Sequence, residues 1–217
     1  MNGAAFLGSG IVIDGRKSHW ENVYATRSAD RVGWYKPRLD TSLAWIGSLE
    51  LDKYAPIIDV GGGASTLVDD LLQAGFTDLT ILDIAASALE QSQARLGEQA
   101  SIVDWIVADV TEAALPPDHF ALWHDRAVFH FLTTSDDQQR YVEQLVSALR
   151  PGGYLLLGAF APEAPPTCSG LPVQRYDADK LSGMLGAGFE LLRHHKEMHV
   201  TPGGVEQMYL YALFRLN

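Results

Sequence analysis

The chain holds 217 residues, 47% of them hydrophobic types, which suffices for a buried core and argues against intrinsic disorder. Asp and Glu number 27 against 16 Lys and Arg, a formal net charge of -11, so wrapping nucleic acid or coating an anionic membrane is disfavoured, because neutralising phosphates takes clustered cations. The single cysteine, Cys168, excludes an intrachain disulfide and a cysteine-based zinc site. No run approaches the ~20 apolar residues of a membrane helix, and Met1–Val12 lacks the basic start of a secretion signal. A cytoplasmic protein is the expectation.

In chain order, residues 1–56 come first and stand apart from the remainder of the chain. They carry Trp20, Trp34 and Trp45, three of the five tryptophans. Leu39, Leu43 and Ile46 share one side of a predicted helix, which suggests a helical cap over an edge of a sheet. The run "PIIDVGGG" then reads as a buried strand, Ile57–Val60, entering glycines, and "ASTLVDDLLQAG" as a helix with Leu67, Val68, Leu71 and Leu72 on one face, stopped by Gly75. "LTILDI" is the next strand and "SALEQSQARLG" the next helix. "IVDWIVADV" and "FALWHD" are a third and a fourth strand. "SDDQQRYVEQLVSALRPGG" is the most periodic helix, with Ser135 and Gln138 as the expected capping box and Pro151 to Gly153 as its stop.

"YLLLGAF" comes next as a fifth strand without polar alternation, as expected where helices cover both faces of a sheet. The Pro-rich stretch 160–176, which includes Cys168, reads as a long irregular loop. "FELLRHHKEMHV" and "VEQMYLYALFRL", joined by "TPGG", read as two long antiparallel strands. Alternating strands and helices mean right-handed crossovers and a doubly wound parallel sheet. The class is therefore α/β, with seven strands, mostly parallel, and an antiparallel C-terminal hairpin. Two units are expected, a helical cap at 1–56 and a ligand-binding core at 57–217.

In such a sheet, ligands bind beyond the carboxyl ends of the strands. Gly61 and Gly63 come directly after the first strand, where a missing Cβ permits a sharp turn and close approach of a ligand to the backbone. A dinucleotide fingerprint starting there would need glycine where Thr66 stands, and a phosphate loop would need a lysine that is absent. Asp59, Asp83 and Asp109 sit at the ends of three successive strands. The 24-residue offset from Asp59 to Asp83 is near the ~20 at which an acid meets ribose hydroxyls. An acidic rim suits a ligand with positive charge better than a pyrophosphate.

The ordered segments "IIDVGGGAS", "LDI", "ADV", "FALWHD" and "LRPGGYLLLGAF" resemble the motifs of the class I S-adenosylmethionine-dependent methyltransferases, over Ile57–Leu216. "HWENVYATR", "WHDRAVFHFL", "CSGLPVQRY" and "HVTPGGVEQMYLYALFR" are similar to a less characterised bacterial subgroup of that class. The resemblance implies a Rossmann-like fold and S-adenosylmethionine as methyl donor. It further implies that Asp59, Gly61, Gly63 and Ser65, which replaces the family's third glycine, meet the donor's methionine part. Asp83 would hold the ribose and Asp109 the adenine amino group, with Ile84 and Val110 flanking the ring. Trp20 and Tyr24 would close over the donor, or simply pack the capping helix. "WHDR" matches the place where donor and acceptor meet.

Methyl transfer from a sulfonium demands alignment and exclusion of water, and needs a base only for a protonated acceptor. His124, Asp125 and His130 are the candidates by position. The fourth motif is not the Asn/Asp-Pro-Pro-aromatic tetrapeptide of enzymes that methylate exocyclic amines of bases or glutamine amides, so, together with the negative charge, a small molecule or a protein side chain is the expected acceptor and nucleic acid is not. No metal is expected, although His195, Glu197 and His199 alternate along one strand face. Cys168 in the 160–176 loop, which would line the acceptor pocket with the cap, could touch the acceptor. A non-catalytic donor-binding protein and, further off, a nicotinamide-dependent dehydrogenase are the alternatives.

Overall fold

The computed structural model describes residues 10–217, with side chains described from residue 15 onward. Residues 1–9 of the expected cap lie outside the described residues. Helices α1 (Gly10–Thr26) and α2 (Asp40–Gly47) precede the first strand. The alternating core then runs β1 (Ile57–Val60), α3 (Leu67–Gln73), β2 (Leu79–Asp83), α4 (Ala86–Leu96), β3 (Val103–Val107), β4 (Phe120–Arg126), α5 (Ser135–Ala148) and β5 (Leu149–Phe160). Two short strands, β6 (Thr167–Cys168) and β7 (Leu171–Pro172), helix α6 (Ala178–Leu185) and the long strands β8 (Phe189–Val200) and β9 (Glu206–Leu216) complete the chain.

Seven strands form one sheet in the order β3-β2-β1-β4-β5-β9-β8. β1 through β5 pair in parallel, and β9 runs antiparallel to both β5 and β8. The order reverses between β1 and β4, the switch point where ligands enter such sheets. β1 and β2 are buried throughout, so their runs lack the alternation of a half-solvated strand.

The two faces are sorted by the twofold periodicity of a strand. Trp123 of β4 joins Phe129, Tyr141, Leu145 and Phe214 on the α5 side. Leu122 joins Ile57, Leu67, Leu71 and Leu156 on the α3 side. This alternation decides the site. Asp125 goes with Trp123 toward α5, where its Oδ2 accepts from the Tyr141 hydroxyl at 2.7 Å. His124 and Arg126 lie with Leu122 on the other face, beside Asp59 of β1, whose register partner is His124.

Three local features differ from the sequence-based expectation. The cap of α5 is Thr134, not Ser135. Its Oγ1 accepts from the Asp137 backbone N–H at 3.2 Å and donates to Asp137 Oδ2 at 2.8 Å. Gln138 instead donates to the Leu132 carbonyl and the Tyr176 hydroxyl, because a tertiary partner outcompetes the local box. The 160–176 stretch holds the small β6–β7 ladder and folds onto the core, burying Cys168 among the residues of the α3 face.

The N-terminal segment is fastened at two ends. On β8, Glu197 accepts from Lys36 and Thr41, and His199 Nε2 meets the Gly33 carbonyl at 2.8 Å. Two of the three alternating polar residues of that strand thus anchor the cap, while His195 is exposed. At the opposite side, α4 starts without a side-chain cap of its own. Glu21 of α1 provides one, accepting from the N–H groups of Ala86 and Ser87 at 2.7 and 3.2 Å and from Ser87 Oγ at 2.7 Å.

Glu21→Ala should therefore cost ~1 kcal/mol in denaturant unfolding, the usual worth of a cap, and speed hydrogen exchange at Ala86 and Ser87. Unchanged exchange there would show that α1 is held by something else.

Candidate active site

The turn after β1 is shaped by backbone demands that only glycine meets. Gly61 has φ +67, and a Cβ on it would lie 2.0 Å from Val128 Cγ2. Gly63 has φ +25, and its Cβ would meet Asp83 Oδ2 at 2.5 Å. Gly62, which the motif spacing did not single out, is just as confined, since its Cβ would sit 2.6 Å from Asp59 Oδ2 and 2.8 Å from Ile81. Three strands thus close on one turn, and the acids of β1 and β2 lie directly behind it. Ser65 Oγ accepts from the Leu67 N–H at 3.1 Å, starting α3.

Asp59, Asp83, Asp109 and Tyr24 come together around adjoining cavities. The larger spans about 700 Å³ and is lined by residues from the strand ends and from α1, among them Trp20, Tyr24, Gly61, Asp83, Ile84, Asp109, Val110 and Arg126. The second, about 470 Å³, runs along the glycine turn past Asp59, Ser65, Tyr35, Lys36 and His124, and shares Tyr24, Trp34, Gly61 and Arg126 with the first. Among the described residues, none from the 160–176 stretch lines either cavity, and Cys168 is one of those turned away. Burial pushes the Cys168 thiol up to about 11, so it stays protonated at neutral pH.

The carboxylates differ in how they are held. Asp83 is 6% exposed, with Oδ1 accepting from the Ala85 N–H at 2.9 Å. Burial lifts it to about 7, helped by the charges of Asp59 and Glu21 and opposed by that hydrogen bond. Asp109 accepts from the N–H and hydroxyl of Thr111 through Oδ1, while Oδ2 lies 3.3 Å from Arg16 of α1. Arg16 also reaches Asp137 at 3.3 Å, so α1 is clipped across the mouth of the larger cavity.

Around the end of β4, three candidate bases have other employment. His124 is 1% exposed, with Nδ1 2.6 Å from Asp59 Oδ1 and Nε2 2.9 Å from Ser42 Oγ. Both ring nitrogens are occupied. Asp125 points to the α5 face and accepts from Val128 N–H, Phe129 N–H and Tyr141, and lines neither cavity. His130 is likewise outside both cavities. Its Nδ1 accepts from the Phe160 N–H at 3.2 Å, and burial beside Arg126 lowers it to about 3. The structure brings the ten proposed donor-site residues to the glycine turn, the strand ends and the α1 roof above them, but leaves none of the three bases free to take a proton.

Sequence reasoning passed over Arg16, Trp34, Val128 and Phe131, all of which line the larger cavity. It named Arg126 only as part of a motif. A strand-period reading could have found Arg126, since it shares a face with His124. Ala127, next to it, holds φ +74, a left-handed value that costs a residue with a Cβ and is a frequent mark of functional turns.

Residues 57–153 match the family model described as a methyltransferase domain. The strand order, the glycine turn and this match support a class I S-adenosylmethionine-dependent methyltransferase, with S-adenosylmethionine as methyl donor. Among curated relatives, EEF1A lysine methyltransferase 2 of Danio rerio is 22% identical over 205 residues, covering 88% of this chain and 82% of that protein. The Burkholderia thailandensis 1,6-didemethyltoxoflavin-N1-methyltransferase, solved with its substrate and S-adenosylhomocysteine, aligns with TM-score 0.67 at 18% identity, covering 99% of this chain and 93% of that one. A methyltransferase of Anabaena variabilis aligns with TM-score 0.72 at 16% identity over 95% of both chains. At these identities the structural likenesses establish the fold.

The raised Asp83 gives a pH prediction. A carboxyl whose folded pKa exceeds its unfolded value favours folding at low pH, and that contribution disappears as pH rises through about 7. Asp125, pushed up to about 6 by burial, has the same sign. Ligand-free protein should lose stability from pH 5 to 8. Asp83→Asn keeps the acceptor oxygen and drops the charge, so it should raise Tm at pH 8, with the gain shrinking toward pH 5. A variant less stable than the parent at pH 8 would contradict this.

Proposed function

We propose that the chain transfers the methyl group of S-adenosylmethionine to a small molecule, in the cytoplasm and without a nucleic-acid partner. The observation that carries this is the closure of the larger cavity by α1. Trp20, Tyr24 and Trp34 meet above the strand ends, and Trp20 packs edge-on against Trp34 and Phe131 with ring centroids 5.4 and 4.9 Å apart. Such a roofed aromatic chamber suits a compact acceptor better than an extended peptide.

When bound, S-adenosylmethionine supplies an electrophilic methyl on a positively charged sulfur. In the reading proposed, Asp83 accepts from the ribose hydroxyls, Asp109 from the adenine amino group, and Ile84 and Val110 flank the ring. Asp59, Gly61, Gly63 and Ser65 surround the methionine part. Asp59 and Asp83 offer negative charge to a cationic donor, a complementarity that the neutral product would lose. Trp20 and Tyr24 exclude water above it. His124, Asp125 and His130 become positioning residues: His124 braces Asp59, Asp125 ties the β4 turn, and His130 holds the start of the loop after β5. The cap at 1–56 and the core at 57–217 are read as lid and donor platform.

A protein lysine is the second reading, favoured by the relative whose name specifies eEF1A lysine. Against it stands Arg126 at the cavity wall, which would repel an approaching ammonium.

Calorimetry should show S-adenosylmethionine and S-adenosylhomocysteine binding, and NAD not. Asp83→Ala should weaken both by about tenfold or more, since hydrogen bonds to a charged acceptor contribute about 1.5–3 kcal/mol each. Affinity should rise with pH through about 7 as Asp83 ionises. Absence of binding to either compound, or indifference to Asp83, would overturn the assignment. A screen of metabolites and Lys-bearing peptides, read by S-adenosylhomocysteine formation, should give turnover among the metabolites. Turnover confined to peptides would favour the lysine reading.

A further inference from the structure

Arg126 is a cation that makes no salt bridge among the described residues. The other Lys and Arg residues lining the two cavities are answered: Arg16 by Asp109 and Asp137, and Lys36 by Glu197. Arg126 feels Glu197 only at a distance, with no salt bridge between them, and its direct partners are neutral. Its Nε donates to the Tyr211 hydroxyl at 2.9 Å and its Nη1 to the Trp34 carbonyl at 2.8 Å. Its guanidinium lies 4.6 Å from the Tyr209 ring centroid. Among the described residues, Nη2 is closed off from solvent and has no hydrogen-bond partner.

A buried donor left without a partner costs the fold a hydrogen bond that a ligand can supply. The rigid guanidinium fork of donors matches an anionic oxygen or sulfur far better than a neutral group. The position is specific as well. Arg126 lines both cavities at once, at the end of the strand that borders the glycine turn, held by the backbone of the lid segment at Trp34.

The lack of a free base points the same way. The carboxylates lining the cavities are Asp59, Asp83 and Asp109, all assigned above to the donor, and His124 has both nitrogens engaged. An acceptor that arrives already deprotonated needs none. Resting on the methyl-transfer reading above, we propose that Arg126 anchors the acceptor and that the acceptor is an anionic nucleophile, a thiolate or an oxyanion. Its lone pair forms the new bond to the methyl carbon while the carbon–sulfur bond of the donor breaks with its electron pair left on sulfur. No proton moves in that step. The product leaves with one negative charge fewer, so Arg126 holds it less tightly than the substrate.

The test uses the full chain saturated with S-adenosylhomocysteine and reads quenching of tryptophan fluorescence, since Trp20 and Trp34 line the cavity. Thiophenolate and benzoate are the anionic probes, with benzamide and benzylammonium as their neutral and cationic counterparts. Both anions should bind at least ~tenfold tighter than benzamide, as expected of a charge-assisted contact, and benzylammonium weakest. Arg126→Gln should abolish that preference, and Arg126→Lys retain part of it. Affinity for S-adenosylhomocysteine should change less than ~threefold, well below one charged hydrogen bond. Equal affinity for benzoate and benzamide in the wild-type chain overturns the proposal without reliance on any variant. So does a loss of S-adenosylhomocysteine binding in Arg126→Gln with the probe preference intact, which would assign the guanidinium to the donor's own carboxylate. A wild-type chain that binds no S-adenosylhomocysteine would instead fail the underlying methyl-transfer reading.

Discussion

A carboxylate shut behind the glycine turn can stay there only if a neighbour answers it, and His124 answers Asp59 from the adjacent strand at 2.6 Å. The register of β1 on β4 sets the two side by side, and Ser42 of α2 closes the chain from the other ring nitrogen at 2.9 Å. First strand, fourth strand and capping segment are thereby joined through one buried polar line at the switch point. The glycine turn packs against its acid end, where Asp59 Oδ2 occupies the space a side chain on Gly62 would need. Breaking such a line strands a buried polar group, which costs more than the bond itself contributes. The position of the turn, the strand ends and α2 all depend on it.

The site built on that line is unbalanced in a useful way. Asp83 is buried with its ionisation opposed, and Arg126 keeps a buried Nη2 with no hydrogen-bond partner among the described residues. Both line the larger cavity, and the chain does not pair them. In the reading proposed above, a cationic donor satisfies the first and an anionic acceptor the second. Sequences keep locally unfavourable choices of this kind at functional sites. α1 completes the enclosure by tertiary contacts alone: Glu21 on the start of α4 and Arg16 across Asp109 and Asp137. The Arg16 contact reaches Asp109 in the lining of the larger cavity, so α1 is tied to the cavity wall.

Much of this was legible in the sequence because it rests on period and punctuation. Apolar runs ending in glycine or aspartate marked β1, β2 and the switch point, and the long polar-faced hairpin marked β8 and β9. Trp20 and Tyr24, singled out through the family resemblance, lie on α1 and line the larger cavity. What escaped is tertiary. Thr134 replaces Ser135 as the α5 cap because Gln138 is drawn to Tyr176. Nothing local says that Glu21 caps a helix 65 residues away. His124 reads as a free base until Ser42 and Asp59 are found on either side. The 160–176 loop, expected to line the acceptor pocket, lines neither cavity among the described residues, because Cys168 and its neighbours bury apolar surface against the α3 face.

The proposed function depends above all on a donor platform at the carboxyl ends of β1 to β3, roofed by α1. A crystal structure with S-adenosylhomocysteine tests that most directly. It should place the ribose on Asp83 and the adenine between Ile84 and Val110, with the His124–Asp59 contact intact and Arg126 free of the ligand. Ligand bound elsewhere, or a platform whose Asp83 faces no ribose, would contradict it.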